Sequence, residues 1–438
     1  MELMRRARDG VGIGAACLLA LSSAFAAAGV SLGLLGLLVA TAFDAPAFVR
    51  WLRRDPVAWL IVAWAVWVAF RAALPNVFPA SSENRGSAIV DTLVVGAVPA
   101  AFLAWWGRRV PGRWLTLLGL AALGLVIGAA LNGHWSDFGS YLHDRRMTLG
   151  LNNNGGSFFA AVLIVGLLSL AVPWLARNRA GRDRRWWTLV IVAAALGAFA
   201  LMIVVLSRSR QVWLALPLLG VVTLLWQLRH RGLALFRGWS RGQWGLVVVV
   251  VLVIALVVGV SGRLIVQRMS QESATWEALA SLDIERVPAS SIGHRVGMWQ
   301  VGLAQVAAHP WLGIGPSAAR AAMRAAHNRI LGNSAYPHFH DLYLQLAAEW
   351  GLPALVLFLA LVLVLARGAF ATLGTADAGR RDLAAFVLGS CFVFLTVSLV
   401  TVRHDDIHGG SLVTLLLACA LLAGSRIAAD PAADTAET

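Results

Sequence analysis

Two histidines and an aspartate lie close together in the stretch YPHFHDLYLQLAAEWG, at His338, His340 and Asp341. A neutral histidine can accept the proton of an attacking hydroxyl near pH 7. His338 and His340 are two residues apart, so their side chains would diverge by about 200° on a helix. We therefore expect one of them to be a general base, while the other orients a substrate or packs. The alternative is that both are structural.

Arginines supply a second kind of chemistry. Arg208 and Arg210 stand in VVLSRSRQVWLAL, where only a few residues separate two apolar runs, and Arg295 stands in SSIGHRVGMWQ. The planar guanidinium donates two parallel hydrogen bonds to a phosphate and keeps its charge. We expect Arg210 and Arg295 to bind a lipid diphosphate and to stabilise it as the leaving group. The weaker candidates for this role are Arg208, Arg146 and Arg263. The alternative for Arg208 and Arg210 is contact with ordinary lipid phosphates at the membrane surface.

Two further polar clusters have both a structural and a chemical interpretation. The run LNNNGGSFFA predicts a tight turn that opens a helix, where the amide of Asn154 could also bind sugar hydroxyls or a phosphate. The run TVRHDDIHGG contains His404, Asp405, Asp406 and His408, which together could hold a divalent cation. Because the arginines already supply positive charge, we expect no metal and no other cofactor.

The composition is that of a membrane protein with many helices. The chain has 438 residues, of which 59% are hydrophobic and 13% charged, and its mean hydropathy is +0.74. The formal charge is +14, and the basic residues are all arginines spread over many short loops, which does not indicate nucleic-acid binding. The three cysteines lie in apolar runs and indicate neither disulfides nor a metal site. The first apolar run continues to Ala42, which favours a span and a hairpin over a cleaved signal peptide.

Apolar runs long enough to cross a membrane occur along most of the chain, since a span needs roughly 20 apolar residues. They predict an all-α polytopic membrane protein with twelve spans, at about 11–29, 31–49, 57–74, 88–106, 114–132, 156–176, 187–206, 212–228, 244–262, 349–366, 383–402 and 409–425. The predicted parts of the chain are nine spans in 1–262, a loop region with the active site in 263–348, three spans in 349–425 and a tail in 426–438.

The placement of arginine predicts the orientation. Arginine clusters occur at the N-terminus and in every even-numbered loop, which the positive-inside rule assigns to the cytoplasm. Both termini are then cytoplasmic, and the long loop between spans nine and ten lies outside. We expect the chain in a bacterial inner membrane, with membrane lipids around it and a periplasmic active site.

The long loop contains helices of its own. Apolar residues at three-to-four spacing predict helices at about 264–280 and 294–308, and HPWLGIGP predicts a turn. The run PSAARAAMRAAHNRIL begins another helix, and HFHDLYLQLAAEWGLPALVLF predicts a helix that continues into span ten. This pattern places His338, His340 and Asp341 at the start of a helix near the membrane surface.

The distribution of charge favours an enzyme over a transporter. Transporters usually carry charged or broken helices near the middle of the membrane, whereas the centres of these spans are nearly free of charge. Arginines with a histidine base suit glycosyl transfer from a lipid diphosphate to a sugar hydroxyl. A transporter (flippase) for lipid-linked glycan is the alternative from another functional class.

In four places the sequence resembles the O-antigen ligase and O-antigen polymerase superfamily of bacterial lipopolysaccharide assembly. SRSRQVWLAL looks like the family's Ser-Arg motif, with Arg210 at the arginine, and HRVGMWQVGLAQVAAHPWLGIG looks like its Arg-and-Trp helix, with Arg295 and Trp299 in place. PHFHDLYLQLAAEWGLPAL looks like its His-x-His-Asn stretch and Glu-x-Gly helix, and LNNNGGSFFA looks like its Asn-containing turn. Two departures are Gln211, where a glycine is usual, and Asp341, where an asparagine is usual.

The resemblance implies transfer of an undecaprenyl-diphosphate-linked O-antigen, without a metal and with inversion, in a GT-C-like membrane fold. A ligase would use the lipid A–core oligosaccharide as acceptor, and a polymerase would extend one lipid-linked glycan with another. The resemblance also makes Trp299, Asp341 and Asn154 substrate-binding candidates beside the arginines. The long loop between spans nine and ten looks more like a ligase, so we expect a ligase and keep the polymerase as the alternative.

Overall fold

The computed structural model describes residues 2–78, 96–110, 114–143, 146–147, 155–178, 183–231, 270, 272–402 and 407–424. These residues form helices joined by turns, and no strand occurs among them. The helices are α1 (Glu2–Ser22), α2 (Ala27–Ala42), α3 (Ala45–Arg53), α4 (Pro56–Ala73), α5 (Ala97–Gly107), α6 (Trp114–Asn132), α7 (Phe138–His143), α8 (Gly155–Arg177), α9 (Arg184–Leu206), α10 (Arg210–Arg231), α11 (Ser273–Ala280), α12 (Ser291–Ala308), α13 (Ala319–Ala325), α14 (Leu342–Gln345), α15 (Leu352–Thr372), α16 (Ala378–Ser398) and α17 (Ile407–Gly424). Five-residue π-helical stretches occur within α8 and after α14, at Leu167–Ala171 and Leu346–Trp350.

Among the described residues, seven helices are long and apolar enough to cross a membrane, and the bent pair α2–α3 would make an eighth span. The seven are α4, α6, α8, α9, α10, α15 and α16, and each lies at a predicted span. Two shorter apolar helices, α5 and α17, lie at two more. The prediction of an all-helical polytopic membrane protein is therefore confirmed. The predicted first span, at 11–29, is wrong as one helix, because α1 ends at Ser22 and α2 begins at Ala27. The count of twelve stays a prediction, since α1 is not among the helices apolar enough to cross a membrane and span 244–262 lies outside the described residues.

The predicted second span, at 31–49, is wrong as one straight helix. α2 ends at Ala42, and α3 leaves it at an angle of 92°. The bend lies at Asp44, a buried carboxylate that accepts hydrogen bonds from Arg8 at 2.7 Å and from Arg109 at 2.9 Å. The two ion pairs hold a turn in a place where the apolar pattern alone predicts a continuous helix.

Beyond this bend, α3 is amphipathic rather than apolar all round. Phe48 and Trp51 are buried, while Arg50 and Arg53 are exposed on the opposite face. Such a division is typical of a helix that lies along a membrane surface.

Contacts between the ends of helices agree with the membrane side that the sequence predicts for each end. Arg177 at the end of α8 pairs with Asp382 at the start of α16, and the sequence assigns both ends to the arginine-rich side. On the opposite side, the Gln211 amide at the start of α10 donates to the carbonyl of Val400, just after α16, at 3.3 Å. α16 also packs against α8, α10, α15 and α17, so it is a central helix of the bundle.

The turn at 309–316 is bound to the π-helical stretch that precedes α15 and to the first residue of α15. Three backbone hydrogen bonds join them: Ile314 N–H to Ala348 O at 2.7 Å, Gly315 N–H to Glu349 O at 3.0 Å, and Leu352 N–H to Pro310 O at 2.8 Å. We call these three bonds the clasp. The predicted turn in HPWLGIGP is therefore confirmed, and the clasp ties the end of α12 to the start of α15.

The predicted continuous helix into span ten is wrong, because the chain breaks at Gly351. This residue has a φ of +85°, and a Cβ there would lie 2.1 Å from the carbonyl oxygen of Trp311. Only glycine fits such a backbone and such a close approach. α15 therefore starts at Leu352, and the preceding helix is free to run in its own direction.

Arg71, at the end of α4, stabilises the turn of the clasp through hydrogen bonds to its backbone carbonyls. It is 1% exposed and donates to the carbonyl of Leu312 at 2.5 Å and of Gly313 at 3.4 Å. The partners in the structure are backbone carbonyls, so Arg71 is a structural residue.

We expect Arg71→Lys to lower the free energy of unfolding by about 2 kcal/mol, because one ammonium cannot replace a fork that serves several buried carbonyls. Arg50→Lys is the matched control, since Arg50 is exposed on α3 and should change stability by less than about 0.5 kcal/mol. Thermal unfolding of the purified protein in detergent measures both. Equal melting temperatures for the two variants would contradict the supporting role of Arg71.

Candidate functional site

Glu272 fixes the start of α12. Its carboxylate is buried and accepts hydrogen bonds from the Ser290 hydroxyl and, at 3.4 Å, from the N–H of Ile292. Ser290 caps the helix by accepting the N–H of Gly293 at 3.0 Å. The predicted helix at 294–308 is confirmed and begins three residues earlier, and Arg295 lies near its start.

Arg208 and Arg210 lie in the short turn between α9 and α10. Arg208 has a φ of +52°, a region that non-glycine residues rarely adopt, and its guanidinium donates to the carbonyl of Tyr141 at 3.3 Å. The N–H of Met147 donates to the carbonyl of Leu206 at 3.0 Å, which holds the neighbouring Arg146 beside this turn. The backbone of this turn is therefore strained and tied to its surroundings on two sides.

Three arginines and one glutamate interact electrostatically at this place. Burial is the largest cause that lowers the pKa of Arg295, and the charges of Arg210 and Arg146 lower it further, while Glu272 opposes them. The structure thus brings together Arg210 and Arg295, the two arginines that the sequence favours, and adds Arg146. Glu272 is a site residue that the sequence analysis missed, because a single glutamate in a long loop gives no signal of its own.

Arg210 occupies an unfavourable position for a cation. It is the first residue of α10, where the helix dipole is positive, and its charge is close enough to Arg295 to lower the pKa of that arginine. Like charges gathered at a helix N-terminus form a site that an anion would stabilise. The arrangement suits a ligand with several negative oxygens, such as a diphosphate.

We expect Arg210→Gln to raise the free energy of unfolding of the ligand-free protein by about 0.5–1 kcal/mol, because it removes a repelling charge from the helix N-terminus. Inorganic pyrophosphate should raise the melting temperature of the wild type and have little effect on this variant. Arg229→Gln is the control, since Arg229 lies in the last turn of the same helix, where the dipole favours a cation. If both variants are destabilised alike, Arg210 does not belong to an anion site.

The histidine pair lies before a helix and not on one. The rings of His338 and His340 are 4.1 Å apart between centroids, so the divergence expected for helical residues is wrong. His340 has a φ of +56°, and this kink folds the two rings toward each other. The helix that the sequence predicts from His338 begins only at Leu342, so both histidines stand just before its start.

A backbone hydrogen bond favours one tautomer of the neutral His338 ring. The N–H of His340 donates to Nδ1 of His338 at 3.3 Å, so this nitrogen is an acceptor. In the neutral ring the proton must then be on Nε2, which makes that nitrogen a donor. His338 is therefore suited to donating a hydrogen bond, and His340 is the better candidate for accepting a proton.

The rings of His338 and His340 are continued by those of Tyr336 and His294, which together form a row of four rings. The hydroxyl of Tyr336 is 2.8 Å from Nδ1 of His294, and the ring of Tyr336 meets that of His340 at 5.9 Å between centroids. His294 directly precedes Arg295 on α12, so this row connects the arginines with the histidine pair. The sequence gives no signal for a joint role of His294 and Tyr336, because their contact joins residues 42 positions apart.

Asp341 caps α14. Its carboxylate accepts the N–H of Leu344 at 2.8 Å, and burial raises its pKa, although backbone N–H groups partly oppose this shift. The contact shown is therefore structural, and a substrate-binding role for Asp341 stays a prediction.

We expect Asp341→Asn to raise the free energy of unfolding at neutral pH by about 1 kcal/mol. Asparagine caps a helix as well as aspartate does, and the substitution removes a half-buried negative charge that burial disfavours. Asp377→Asn is the control, because Asp377 caps α16 in an exposed position and should change little. Thermal unfolding at pH 7 measures both, and a loss of stability in Asp341→Asn would show that the charge has a stabilising partner.

Trp299 lies one turn after Arg295 on α12, so both side chains point to the same side of the helix. Its indole N–H is buried and has no hydrogen-bond partner within the part of the chain that the structure describes. A substrate oxygen could accept this donor, which agrees with the predicted substrate-binding role.

Several predicted site residues lie outside the described residues. These are Arg263, Asn154, and the members His404, Asp405 and Asp406 of the possible metal cluster. His408 is described, and its Nδ1 lies 2.9 Å from the carbonyl oxygen of Ser23. This contact ties α17 to α1 and gives His408 a structural role.

An apolar cavity of about 520 Å³ lies among α6, α8, α9, α16 and α17. Its lining includes Phe159, Leu163, Leu196 and Phe386, and it reaches Arg177 and Asp382 at the arginine-rich side. α9 leads from this cavity to the turn with Arg208 and Arg210. The cavity can hold an apolar chain.

Residues 195–359 match a family model described as O-Antigen ligase. The matched segment runs from α9 to the start of α15 and contains Arg208, Arg210, Arg295 and the histidine pair, whereas Arg146 lies before it. A search of curated proteins found no match. The resemblance that the sequence motifs indicate is therefore confirmed for this segment.

Proposed function

We propose that this chain, whose residues 195–359 match the O-antigen ligase family, transfers an O-antigen glycan from undecaprenyl diphosphate to the lipid A–core oligosaccharide. The reaction takes place at the periplasmic face of the inner membrane, inverts the anomeric carbon and uses no metal. The observation that carries the proposal is the position of Arg295, whose pKa is lowered by burial and by the charges of Arg210 and Arg146, directly after His294, which is hydrogen-bonded to Tyr336.

The arginines bind the diphosphate of the donor. As the bond between the anomeric carbon and the phosphate oxygen breaks, negative charge develops on the diphosphate, and fixed cations lower the energy of this transition state. Arg210 and Arg295 are the principal groups, with Arg146 beside them and Arg208 shaping the turn. Because the protein holds these charges in place before the donor binds, no reorganisation is needed during the reaction.

His340 accepts the proton of the acceptor hydroxyl. The hydroxyl oxygen attacks the anomeric carbon, the bond to the diphosphate breaks, and the proton moves to the imidazole, so charge and atoms balance in one displacement. A single displacement inverts the anomeric carbon. His338 donates a hydrogen bond through Nε2 to a sugar oxygen, because its Nδ1 is engaged by the backbone of His340.

The apolar cavity supports a lipid-linked donor. An isoprenoid chain needs an apolar path among the helices, and the cavity of about 520 Å³ offers one along the first half of α9. Leu196, the lining residue of α9 nearest the arginine turn, lies ten residues before Leu206, so about 15 Å of helix separates the cavity from that turn. The cavity therefore suits the apolar chain of a lipid-linked donor and is not part of the diphosphate site itself.

We expect Arg210→Ala, Arg295→Ala and His340→Ala to insert into the membrane normally and to lower the transfer rate at least about 100-fold, as the loss of a charge-stabilising group or base does in other enzymes. His338→Ala should have a smaller effect, of about 10-fold. His309→Ala is the matched control, since His309 lies at the far end of α12. The assay uses purified protein, undecaprenyl-diphosphate glycan and O-antigen-free lipopolysaccharide, with and without EDTA, and measures the mass of the products.

The products separate the alternatives. A ladder of modified lipopolysaccharide that survives EDTA supports the ligase, whereas lipid-linked glycan that grows without a lipopolysaccharide acceptor would show a polymerase. Loss of activity with EDTA would contradict metal independence and draw attention to Asp405 and Asp406. Movement of lipid-linked glycan across vesicles, without a new glycosidic bond, would show a transporter. Wild-type rates in all three alanine variants would reject the proposed site.

A further inference from the structure

We propose that His294 and Tyr336 are positioning residues that hold the imidazole of His340 at a fixed place relative to Arg295. This inference rests on the proposed function. The central contact is the hydrogen bond between Nδ1 of His294 and the hydroxyl of Tyr336, at 2.8 Å. We call this pair the brace.

The brace joins the two halves of the site. His294 is the residue before Arg295 on α12, so it moves with the arginine that binds the leaving group. Tyr336 lies four residues before His340 and meets its ring edge-on, with 5.9 Å between centroids and 73° between planes. The clasp fixes the far end of α12, beyond His309, whereas the brace acts at the near end, where the chemistry takes place.

His340 needs such support because of its backbone. A φ of +56° is rare for a residue with a Cβ, and it persists only when the surroundings determine it. The ring of His340 contacts that of His338, at 4.1 Å between centroids, and that of Tyr336, at 5.9 Å. The tyrosine ring is in turn tied to α12 through its hydroxyl, so the orientation of His340 depends on that bond.

The hydroxyl and the ring of Tyr336 have separable roles. The ring packs beside a buried cluster that includes Met298 and Phe339, and phenylalanine keeps this packing. The hydroxyl contributes the bond to His294. A role in packing alone predicts that Tyr336→Phe behaves as wild type, whereas the brace predicts a loss in the chemical step.

The first test compares Tyr336→Phe with Tyr343→Phe in the full-length purified protein. Tyr343 also donates its hydroxyl to a protein acceptor, the carbonyl of Leu395 at 2.9 Å, but this contact lies in the packing of α14 against α16. We expect Tyr336→Phe to lower kcat about 3- to 10-fold, the range that one lost hydrogen bond gives, with the KM for the lipid-linked donor within about twofold. Tyr343→Phe should leave kcat unchanged.

A double-mutant cycle tests whether the two residues act as one unit. His294→Leu removes the same bond from the other side, so the double variant His294→Leu/Tyr336→Phe should lose no more kcat than either single variant. His294→Asn should recover most of the activity, because its amide can still bond to the tyrosine hydroxyl. Melting temperatures of all variants provide a second readout that does not depend on activity.

The outcomes are distinguishable. Non-additive loss of kcat with rescue by His294→Asn supports the brace. Additive losses, or equal kcat values for Tyr336→Phe and Tyr343→Phe, overturn it while the proposed function stands. If the wild type makes no transfer product, the proposed function falls and the role of the brace in transfer falls with it, even if the melting temperatures show coupling.

Discussion

The site depends on three backbone hydrogen bonds, those that join the turn at 309–316 to the residues before α15 and to the first residue of α15. α12 carries Arg295, and the stretch before α14 carries the histidines, so the clasp decides how these two segments face each other. Main-chain atoms make the clasp, and a buried arginine, Arg71, satisfies carbonyls in the same turn. The glycines allow the approach, since side chains at Gly315 or Gly351 would collide with neighbouring atoms.

Around the clasp the protein places charged groups and backbone conformations that are energetically unfavourable by themselves. Arg210 opposes the dipole of its own helix, Arg295 is half-buried beside it, and the backbones of Arg208 and His340 lie in the left-handed region. Each feature lowers the stability of the folded chain, and together they surround the place where a diphosphate and a sugar hydroxyl would meet. Strain and charge repulsion concentrated at one place are typical of a functional site.

The sequence is sufficient to predict the class of the protein and to single out the residues that we propose for the site. Hydrophobic run lengths and arginine placement give most of the helices, and Arg210, Arg295 and the histidine pair stand out by type and position. The sequence does not predict the bend at Asp44. Its cause is a pair of arginines, one 36 and the other 65 residues away in the chain. Local patterns contain no information about such partners.

The same limit explains the errors within the site. The helix before α15 looks continuous because its residues are apolar, and its break comes from the close approach of Trp311 to Gly351. Tyr336, His294 and Glu272 carry no local motif, and their roles appear only when distant segments meet. The residues that perform chemistry can thus be read from the sequence more easily than the residues that position them.

The length of α9 has a consequence for the depth at which the reaction takes place. The helix has 23 residues, which corresponds to about 34 Å, slightly more than the hydrocarbon thickness of about 30 Å. In a bilayer, a helix of this length crossing without tilt would place Arg208 and Arg210 just beyond the apolar layer, at the level of lipid phosphates. One inserted or deleted residue would shift these guanidiniums by about 1.5 Å and rotate them by about 100°. The register of an otherwise featureless apolar helix is thus under the same constraint as the charged residues at its end.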